Sequence, residues 1–341
     1  MLRRYYAAPD NASALSLPRK MNRTKLSIAV IVLFVAGTAV LLWPVTENAK
    51  TLSMNGQNKP APTLDLSPHA DSMPRQPLDV LFIHHSCGGQ LLASAGPDAG
   101  TNCIYVSHPN GGNLRARLEQ NGYRVHEASY KSRVADKTDV FDWLPKFRTQ
   151  MDDILVCDSQ DNRYSDARRN QIVVFKSCFP NSDFKGEGQA PGNPAGPDLT
   201  LWNAKATYTS LLAEFRKHPD VLFVCATAPP LAPKTAPQPL WKVLAKKALG
   251  RENGLVRSSK LAREFSNWLS SPDGWLKDSQ LNNVVVFNYY DILTNHGASD
   301  LCQYPTGDGF DSHPSREGNE KAAEAFVPFL NRAVRHAGLS Q

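Results

Sequence analysis

Five short, strongly apolar segments in the last three quarters of the chain constrain its fold more than any other feature. They predict strands over residues 79–84, 123–129, 171–175, 221–226 and 283–288. Several are apolar without interruption (VLFI, IVVF, VLFVCA, VVVF), which is typical of parallel strands with both faces buried. Segments with helical spacing of apolar residues lie between the strands or follow the last one, over residues 112–121, 204–217, 259–269 and 317–337. This alternation predicts an α/β domain in which helices cover both faces of a parallel five-stranded sheet.

Residues 26–45 (LSIAVIVLFVAGTAVLLWPV) carry no charge. At about 1.5 Å per residue, a helix of this length crosses a hydrocarbon core of about 30 Å. Six basic residues and one acidic residue lie in residues 1–25. This bias predicts a cytoplasmic tail, a transmembrane signal anchor over 26–45 and export of everything that follows, to the periplasm or the extracellular side. A cleaved signal peptide is the alternative, although its apolar region is typically about 7–15 residues long.

Residues 46–77 contain five prolines among polar residues and predict a linker, with the folded domain over 78–335. The formal charge of the chain is +6, but the basic tail holds nearly all of it, so the exported part is close to neutral. A nucleic-acid partner is therefore not expected.

The six cysteines show no CxxC and no Cys/His zinc spacing, so we predict no metal site. Export permits disulfides, but the sequence leaves their connectivity open. Cys225 lies in an apolar run and is predicted to be a buried free thiol.

Polar residues that follow the predicted strands are the candidates for chemistry, because ligands of doubly wound sheets bind beyond the carboxyl ends of the strands. Ser86 follows the first strand, and Asp311 and His313 follow the last. A serine hydroxyl becomes a nucleophile when a histidine takes its proton and a carboxylate orients that histidine. We predict these three roles for Ser86, His313 and Asp311.

Two further residues are predicted to form an oxyanion hole. The backbone amide of Gly88 and the side-chain amide of Asn181 follow two of the predicted strands and could stabilise the negative charge of an acyl-transfer intermediate. Lys176, which follows the third strand, is either a surface residue or a contact for an anionic substrate group.

Two neighbours of Ser86 suggest other chemistry. His84 and His85 are adjacent, and adjacent strand residues point to opposite faces, so they are not expected to share a metal ion. Cys87 is a competing nucleophile, but a thiolate needs a cationic or helix-terminal setting.

The order of these residues resembles the SGNH/GDSL hydrolase family over about residues 78–330. The first family block corresponds to His84-His85-Ser86-Cys87-Gly88, the asparagine block to residues 179–182 and the last block to residues 311–314. The resemblance implies a three-layer α/β/α flavodoxin-like fold. It also implies hydrolysis of esters through an acyl-serine, with no metal and no cofactor.

The sequence departs from the family pattern at three places. His84-His85 stands where the family has Gly-Asp, and no glycine follows the second strand, where the chain reads Tyr130-Lys131-Ser132. The last block reads Asp-x-His rather than Asp-x-x-His, which puts Phe310 at the position of the acid. Asp308 is therefore an alternative acid to Asp311, and a Ser-His dyad is a third possibility.

Together these patterns predict a membrane-anchored, exported serine esterase acting on small acyl esters, with O-acetyl groups on carbohydrate as candidate substrates. One alternative is a lipase or thioesterase for longer acyl chains, with residues 235–253 as a lid. Another is a domain of the same fold that binds a glycan without turnover.

Overall fold

The computed structural model describes residues 62–235 and 254–339. The predicted tail and membrane segment, the first half of the predicted linker and nearly all of the predicted lid lie outside the described residues. Within these two ranges, no helix combines the length and apolar composition needed to cross a membrane.

The described chain alternates strands and helices. The strands are β1 (Leu78–Ile83), β2 (Ser94–Ala95), β3 (Ala99–Thr101), β4 (Ile104–His108), β5 (Tyr123–Ala128), β6 (Cys157–Ser159), β7 (Asn162–Arg163), β8 (Ile172–Lys176), β9 (Leu222–Ala226), β10 (Val284–Phe287), β11 (Pro305–Thr306) and β12 (Asp311–Pro314). The helices are α1 (Ser86–Leu92), α2 (Leu114–Gln120), α3 (Trp143–Thr149), α4 (Met151–Leu155), α5 (Leu201–Phe215), α6 (Gly254–Ser270), α7 (Tyr289–Leu293) and α8 (Arg316–His336). Short 3₁₀ turns cover Val140–Asp142, Phe179–Ser182 and Gly307–Gly309.

The central sheet has seven strands in the order β10-β9-β8-β1-β5-β6-β7. All neighbouring pairs are parallel except β6 and β7. The five predicted strands lie side by side in this sheet, with β10 at one edge, and their order, 2-1-3-4-5 in chain sequence, is the flavodoxin-like order. The prediction of five strands was wrong at the other edge. There β6 joins β5 through the single pair of Glu127 with Ser159, and β7 pairs antiparallel with β6.

The core lies on both faces of the sheet, as uninterrupted apolar strands require. In β1, Leu81 and Ile83 pack against α3, α5 and α6. Val80 and Phe82 pack on the opposite face, against α1, α2 and α8. Because successive strand residues point to opposite faces, every residue of β1 is buried. The domain is therefore a three-layer α/β/α structure.

Two smaller sheets lie at the carboxyl edge of the central sheet. Strands β2, β4 and β3 form a three-stranded sheet between α1 and α2 in the chain, and β11 pairs antiparallel with β12 directly before α8. The β11–β12 pair brings the chain back to the end of β1 immediately before the last helix.

Helix α1 was not predicted, because its seven residues include Gly88 and Gly89, and glycine is a poor helix former. The structure shows why Gly88 is needed. A Cβ at this position would lie 2.4 Å from the Cβ of His84, so a side chain would displace the end of β1.

Candidate active site

Ser86, His313 and Asp311 form a hydrogen-bonded relay at the carboxyl edge of the sheet. Ser86 is the first residue of α1, directly after β1, and its Oγ lies 3.0 Å from Nε2 of His313. Nδ1 of the same ring lies 2.7 Å from Oδ1 of Asp311. The serine side chain is partly buried, while the histidine and aspartate side chains are 25% and 48% exposed. The carboxylate thus faces water while the serine end of the relay is shielded.

The short Asp-x-His spacing works because the carboxylate of Asp311 bonds two groups of one residue. Its Oδ1 accepts a hydrogen bond from the backbone N–H of His313 at 3.0 Å as well as the contact with the ring. Burial raises the pKa of Asp311, but the hydrogen bonds from His313 outweigh burial, and the net pKa is below its ordinary value. The carboxylate is therefore ionised and able to hold the ring in one tautomer.

Asp308, the alternative acid, has a different environment. It lies in the left-handed region at φ 54°, and its carbonyl oxygen accepts a hydrogen bond from Nζ of Lys234 at 2.7 Å. Within residues 62–235 and 254–339, its carboxylate makes no hydrogen bond or ion pair with His313. The geometry therefore favours Asp311 as the group that orients the ring.

Three contacts hold the His313 strand in place. The Oγ of Ser312 accepts a hydrogen bond from the backbone N–H of Ala232 at 2.8 Å, which ties β12 to the loop after β9. Thr306 donates its hydroxyl to the carbonyl oxygen of His313 at 3.1 Å. The ring of Phe179 packs edge-on against the imidazole, with centroids 5.0 Å apart. The first two contacts fix the backbone around His313, and the third packs against its ring.

The two histidines before the serine point into different surroundings. His84 is fully buried, with Nδ1 3.0 Å from the carbonyl oxygen of His85 and Nε2 2.8 Å from Oε2 of Glu127, which also pairs with Arg115. Burial is the main cause that lowers the pKa of His84 to about 4. His85 contacts the carbonyl oxygen of Ala135 through Nε2 at 2.8 Å. In the described ranges, no three His, Cys, Asp or Glu side chains form a group that could hold a metal ion.

Asn181 and Gly88, the predicted oxyanion donors, use their N–H groups elsewhere. The Nδ2 of Asn181 donates to Oδ1 of Asp139 at 2.7 Å and to the carbonyl oxygen of Cys178 at 3.3 Å, while its Oδ1 accepts from the N–H of Val140. The N–H of Gly88 donates to the carbonyl oxygen of His85 at 2.8 Å. In this geometry Asn181 fixes two loops to each other, and Gly88 closes the first turn of α1.

The loop after β5, where the family has a glycine, also offers few donors. The N–H of Lys131 donates to Asp136 at 3.3 Å, and that of Ser132 to the carbonyl oxygen of Ser129 at 3.1 Å. The ring of Tyr130 instead stacks on His85 at a centroid distance of 3.7 Å. This loop therefore supports the serine segment from one side.

Two residues at the end of β8 lie closer to Ser86 than the sequence indicated. Cys178 places its Sγ 3.7 Å from the serine Oγ. Lys176, predicted at the surface or against substrate, is only 3% exposed and points its Nζ at the same sulfur, also 3.7 Å away. The signal available in the sequence was a basic residue directly after an uninterrupted apolar run. Cys87 is completely buried beneath the serine.

No protein-family model and no curated protein matches the chain. Solved structures are similar at low identity. A family two carbohydrate esterase from Clostridium thermocellum, in complex with cellohexaose, aligns over 78% of this chain and 66% of its own, with 14% identity and a TM-score of 0.36. A family two carbohydrate esterase from Cellvibrio japonicus aligns over 77% and 63%, with 14% identity and a TM-score of 0.29. An acetyl xylan esterase variant from Geobacillus stearothermophilus aligns over 80% and 98%, with 11% identity and a TM-score of 0.36. This chain thus spans less than two thirds of the length of the two family two esterases.

Proposed function

We propose that the chain is a serine esterase that hydrolyses carboxylic esters through Ser86, His313 and Asp311, as a divergent member of the SGNH/GDSL hydrolase family. The observation that carries the proposal is the continuous relay from Oγ of the serine through the imidazole to the carboxylate, with contacts of 3.0 and 2.7 Å. Each contact lies within hydrogen-bond range, which a general base requires. The position of the serine, at the first turn after the first central strand, further supports the assignment.

The relay supports two acyl-transfer steps. His313 takes the proton of Ser86 while Oγ attacks the ester carbonyl carbon, and the imidazolium then returns the proton to the leaving alcohol. Water attacks the acyl-serine in the second step, with the same ring as base. The carboxylic acid leaves and the serine regains its proton. The negative charge of Asp311 stabilises the imidazolium in both steps.

We assign the backbone N–H of Ser86 as one donor to the oxyanion. The first N–H groups of a helix have no intrahelical acceptor, and Ser86 is the first residue of α1. Such a donor requires no reorganisation when negative charge develops on the carbonyl oxygen. This assignment replaces the amides of Gly88 and Asn181, which are committed to other acceptors.

Hydrolysis of p-nitrophenyl acetate by the full chain tests the proposal. We expect Ser86→Ala to lower kcat by about three orders of magnitude or more, because the nucleophile is lost. Ser94→Ala is the matched control, since this serine is exposed, its hydroxyl hydrogen-bonds to Asn113, and the substitution should leave kcat unchanged. A fluorophosphonate should label Ser86 alone. Equal rates for wild type and Ser86→Ala, or labelling of another serine, would rule out the assignment.

We extend the proposal to small acyl esters, with O-acetyl groups on carbohydrate as the substrate class. Export of the domain, predicted from the sequence, would expose it to envelope or extracellular polysaccharide. A series of p-nitrophenyl esters of increasing chain length tests the acyl part, and release of acetate from an acetylated polysaccharide tests the carbohydrate part. A preference for long chains would indicate a lipase or thioesterase. Glycan binding without fluorophosphonate labelling would indicate a non-catalytic domain.

We also propose that residues 26–45 anchor the chain in a membrane, with the esterase domain on the outer side. The uncharged run and its basic flank support this placement. Anchored protein should stay in the membrane pellet after alkaline carbonate washing and be digested by protease added from the outer side. Recovery in the soluble fraction with a shortened amino terminus would show that the segment is a cleaved signal peptide.

A further inference from the structure

A buried lysine lies beneath the proposed nucleophile without a carboxylate partner. Lys176 is 3% exposed, and its Nζ contacts the carbonyl oxygen of Ser177 at 3.2 Å and Sγ of Cys178 at 3.7 Å. The ring of Tyr289 lies 5.9 Å from the same nitrogen. Among the described residues, no Asp or Glu forms an ion pair with Lys176. A buried charge is costly unless a group of opposite sign compensates it, so the sulfur is the candidate counter-charge.

The surroundings of Cys178 suit a thiolate. Its sulfur lies 3.7 Å from Nζ of Lys176 and 3.7 Å from Oγ of Ser86, the residue that precedes Cys87. The hydrogen bond from the Cys87 thiol is the largest influence, and with Lys176 it holds the pKa of Cys178 well below its ordinary value in spite of burial. Burial raises the pKa of Cys87, which therefore stays a neutral donor. One sulfur thus accepts hydrogen bonds from several donors, which favours its ionised form.

We propose that Cys178 is a resident thiolate and that it forms, together with Cys87, a site of reversible oxidation by hydrogen peroxide or another small hydroperoxide. The thiolate attacks one peroxide oxygen, and the O–O bond breaks to leave a sulfenic acid on Cys178 and hydroxide in solution. The sulfur of Cys87 then attacks Sγ of Cys178. This step forms the disulfide and releases water, using the sulfenic hydroxyl and the thiol proton. The two sulfurs lose two electrons in total, and the peroxide gains them.

Oxidation at this position should stop hydrolysis. Cys87 follows Ser86 in the first turn of α1, and Cys178 lies 3.7 Å from the serine Oγ, so the new bond fastens the serine turn to the end of β8. It also removes the counter-charge of Lys176 next to the relay. The loss of hydrolysis depends on the proposed esterase function, whereas the reactivity of Cys178 does not.

Cys103 is the matched internal control for reactivity. It is more exposed than Cys178, but burial raises its pKa, and its sulfur accepts a hydrogen bond from the hydroxyl of Tyr105. If exposure governs reactivity, Cys103 reacts first, and if thiolate character governs it, Cys178 reacts first. At neutral pH only a few per cent of an ordinary thiol is ionised, so we expect Cys178 to react roughly tenfold faster or more.

The test treats the reduced full chain with limiting hydrogen peroxide and follows each cysteine by peptide mass spectrometry. We expect a disulfide between Cys87 and Cys178, detected as the loss of two hydrogens. Hydrolysis of p-nitrophenyl acetate should fall roughly tenfold or more, and dithiothreitol should restore it. Faster oxidation of Cys103, or peroxide that leaves Cys178 reduced, would overturn the proposal. An oxidisable Cys178 in a chain without esterase activity would overturn the proposed function instead and leave the thiolate standing.

Two variants separate the roles of the neighbours. Cys87→Ser should abolish the disulfide and leave a sulfenic acid on Cys178 that dimedone traps. Lys176→Met should slow the labelling of Cys178 by iodoacetamide roughly tenfold while the labelling of Cys103 is unchanged. Equal labelling rates of Cys178 in wild type and a folded Lys176→Met would contradict the ion pair. If that variant does not fold, the comparison of Cys178 with Cys103 in the wild type still decides.

Discussion

Replacement of Asp311 by asparagine tests which residue orients the ring of His313. The substitution keeps the size of the side chain and removes its charge. The side-chain amide of asparagine can also donate a hydrogen bond to Nδ1. The imidazole would then carry its own proton on Nε2, and this tautomer cannot accept the proton of Ser86. We therefore expect substrate binding to change little and kcat to fall.

The size of the effect follows from the contacts of the carboxylate. A hydrogen bond with an ionised partner contributes about 1.5–3 kcal/mol, and each 1.36 kcal/mol changes a rate about tenfold. Loss of the 2.7 Å contact between Asp311 and the ring should thus lower kcat about 10- to 150-fold. Because the carboxylate is 48% exposed, water screens its charge, and the loss should stay below the roughly 10⁴-fold seen when a buried triad aspartate is replaced.

The assay is the steady-state hydrolysis of p-nitrophenyl acetate by wild type, Asp311→Asn and Asp308→Asn. Asp308→Asn is the matched control, because this residue engages Lys234 through its backbone carbonyl, which the substitution keeps. It should leave kcat within about twofold of wild type, which corresponds to less than about 0.5 kcal/mol. A larger loss in Asp308→Asn than in Asp311→Asn would refute the assignment of the acid. Unchanged rates in both would indicate a Ser-His dyad.

Three further predictions concern the support of the site. Gly88→Ala should lower the free energy of unfolding by about 1–3 kcal/mol through overpacking. Gly254→Ala is the control, because a Cβ there meets no described atom within 4 Å, and equal denaturant midpoints for the two variants would contradict this prediction. Asn181→Ala should lower stability by about 1–3 kcal/mol but kcat by less than about tenfold, so a large loss of kcat at unchanged stability would identify an oxyanion donor. Burial lowers the pKa of His84 from 6.5 to about 4, so the His84 ring binds a proton at higher pH in the unfolded chain than in the folded one. The free energy of unfolding should therefore fall as the pH drops from 6.5 to about 4. NMR of the His84 ring checks this, and a ring that stays protonated at neutral pH against Glu127 would contradict it.

Strands β1, β8, β9 and β10 could be predicted because nearly every residue on both of their faces is buried. The segment predicted over 79–84 is observed as Leu78–Ile83, and the other four predicted strands agree as closely. Burial on both faces produces uninterrupted apolar runs, which can be recognised in the sequence without knowing which strands pair with each other. The edge strands β6 and β7 lack this property. They contain three and two residues, and contacts with β5 rather than local composition determine their pairing.

The site residues that could be predicted are those whose position depends on the order of the strands along the chain. Ser86 and His313 follow strands whose ends meet at one edge, so the topology brings them together. The acid could not be decided from the sequence, since the choice depends on the turn in which Asp311 bonds the backbone of His313. The surface position considered for Lys176 was wrong, since the residue is buried, and the partners of Asn181 could not be predicted for a similar reason. Whether an amide or an ammonium faces the site depends on neighbouring loops that the local sequence does not describe.

The contact between Ser86 and His313 joins residues 227 positions apart. If the chain is the esterase proposed above, a ribosome completes almost the whole domain before Ser86 acquires its base. The nascent chain would then pass through synthesis without hydrolytic activity. A product that ends before β12 would keep every described strand of the central sheet and Ser86, yet it would lack His313 and be inactive. For such an enzyme, hydrolytic activity would be gained late in synthesis and lost by a cut near the carboxyl terminus.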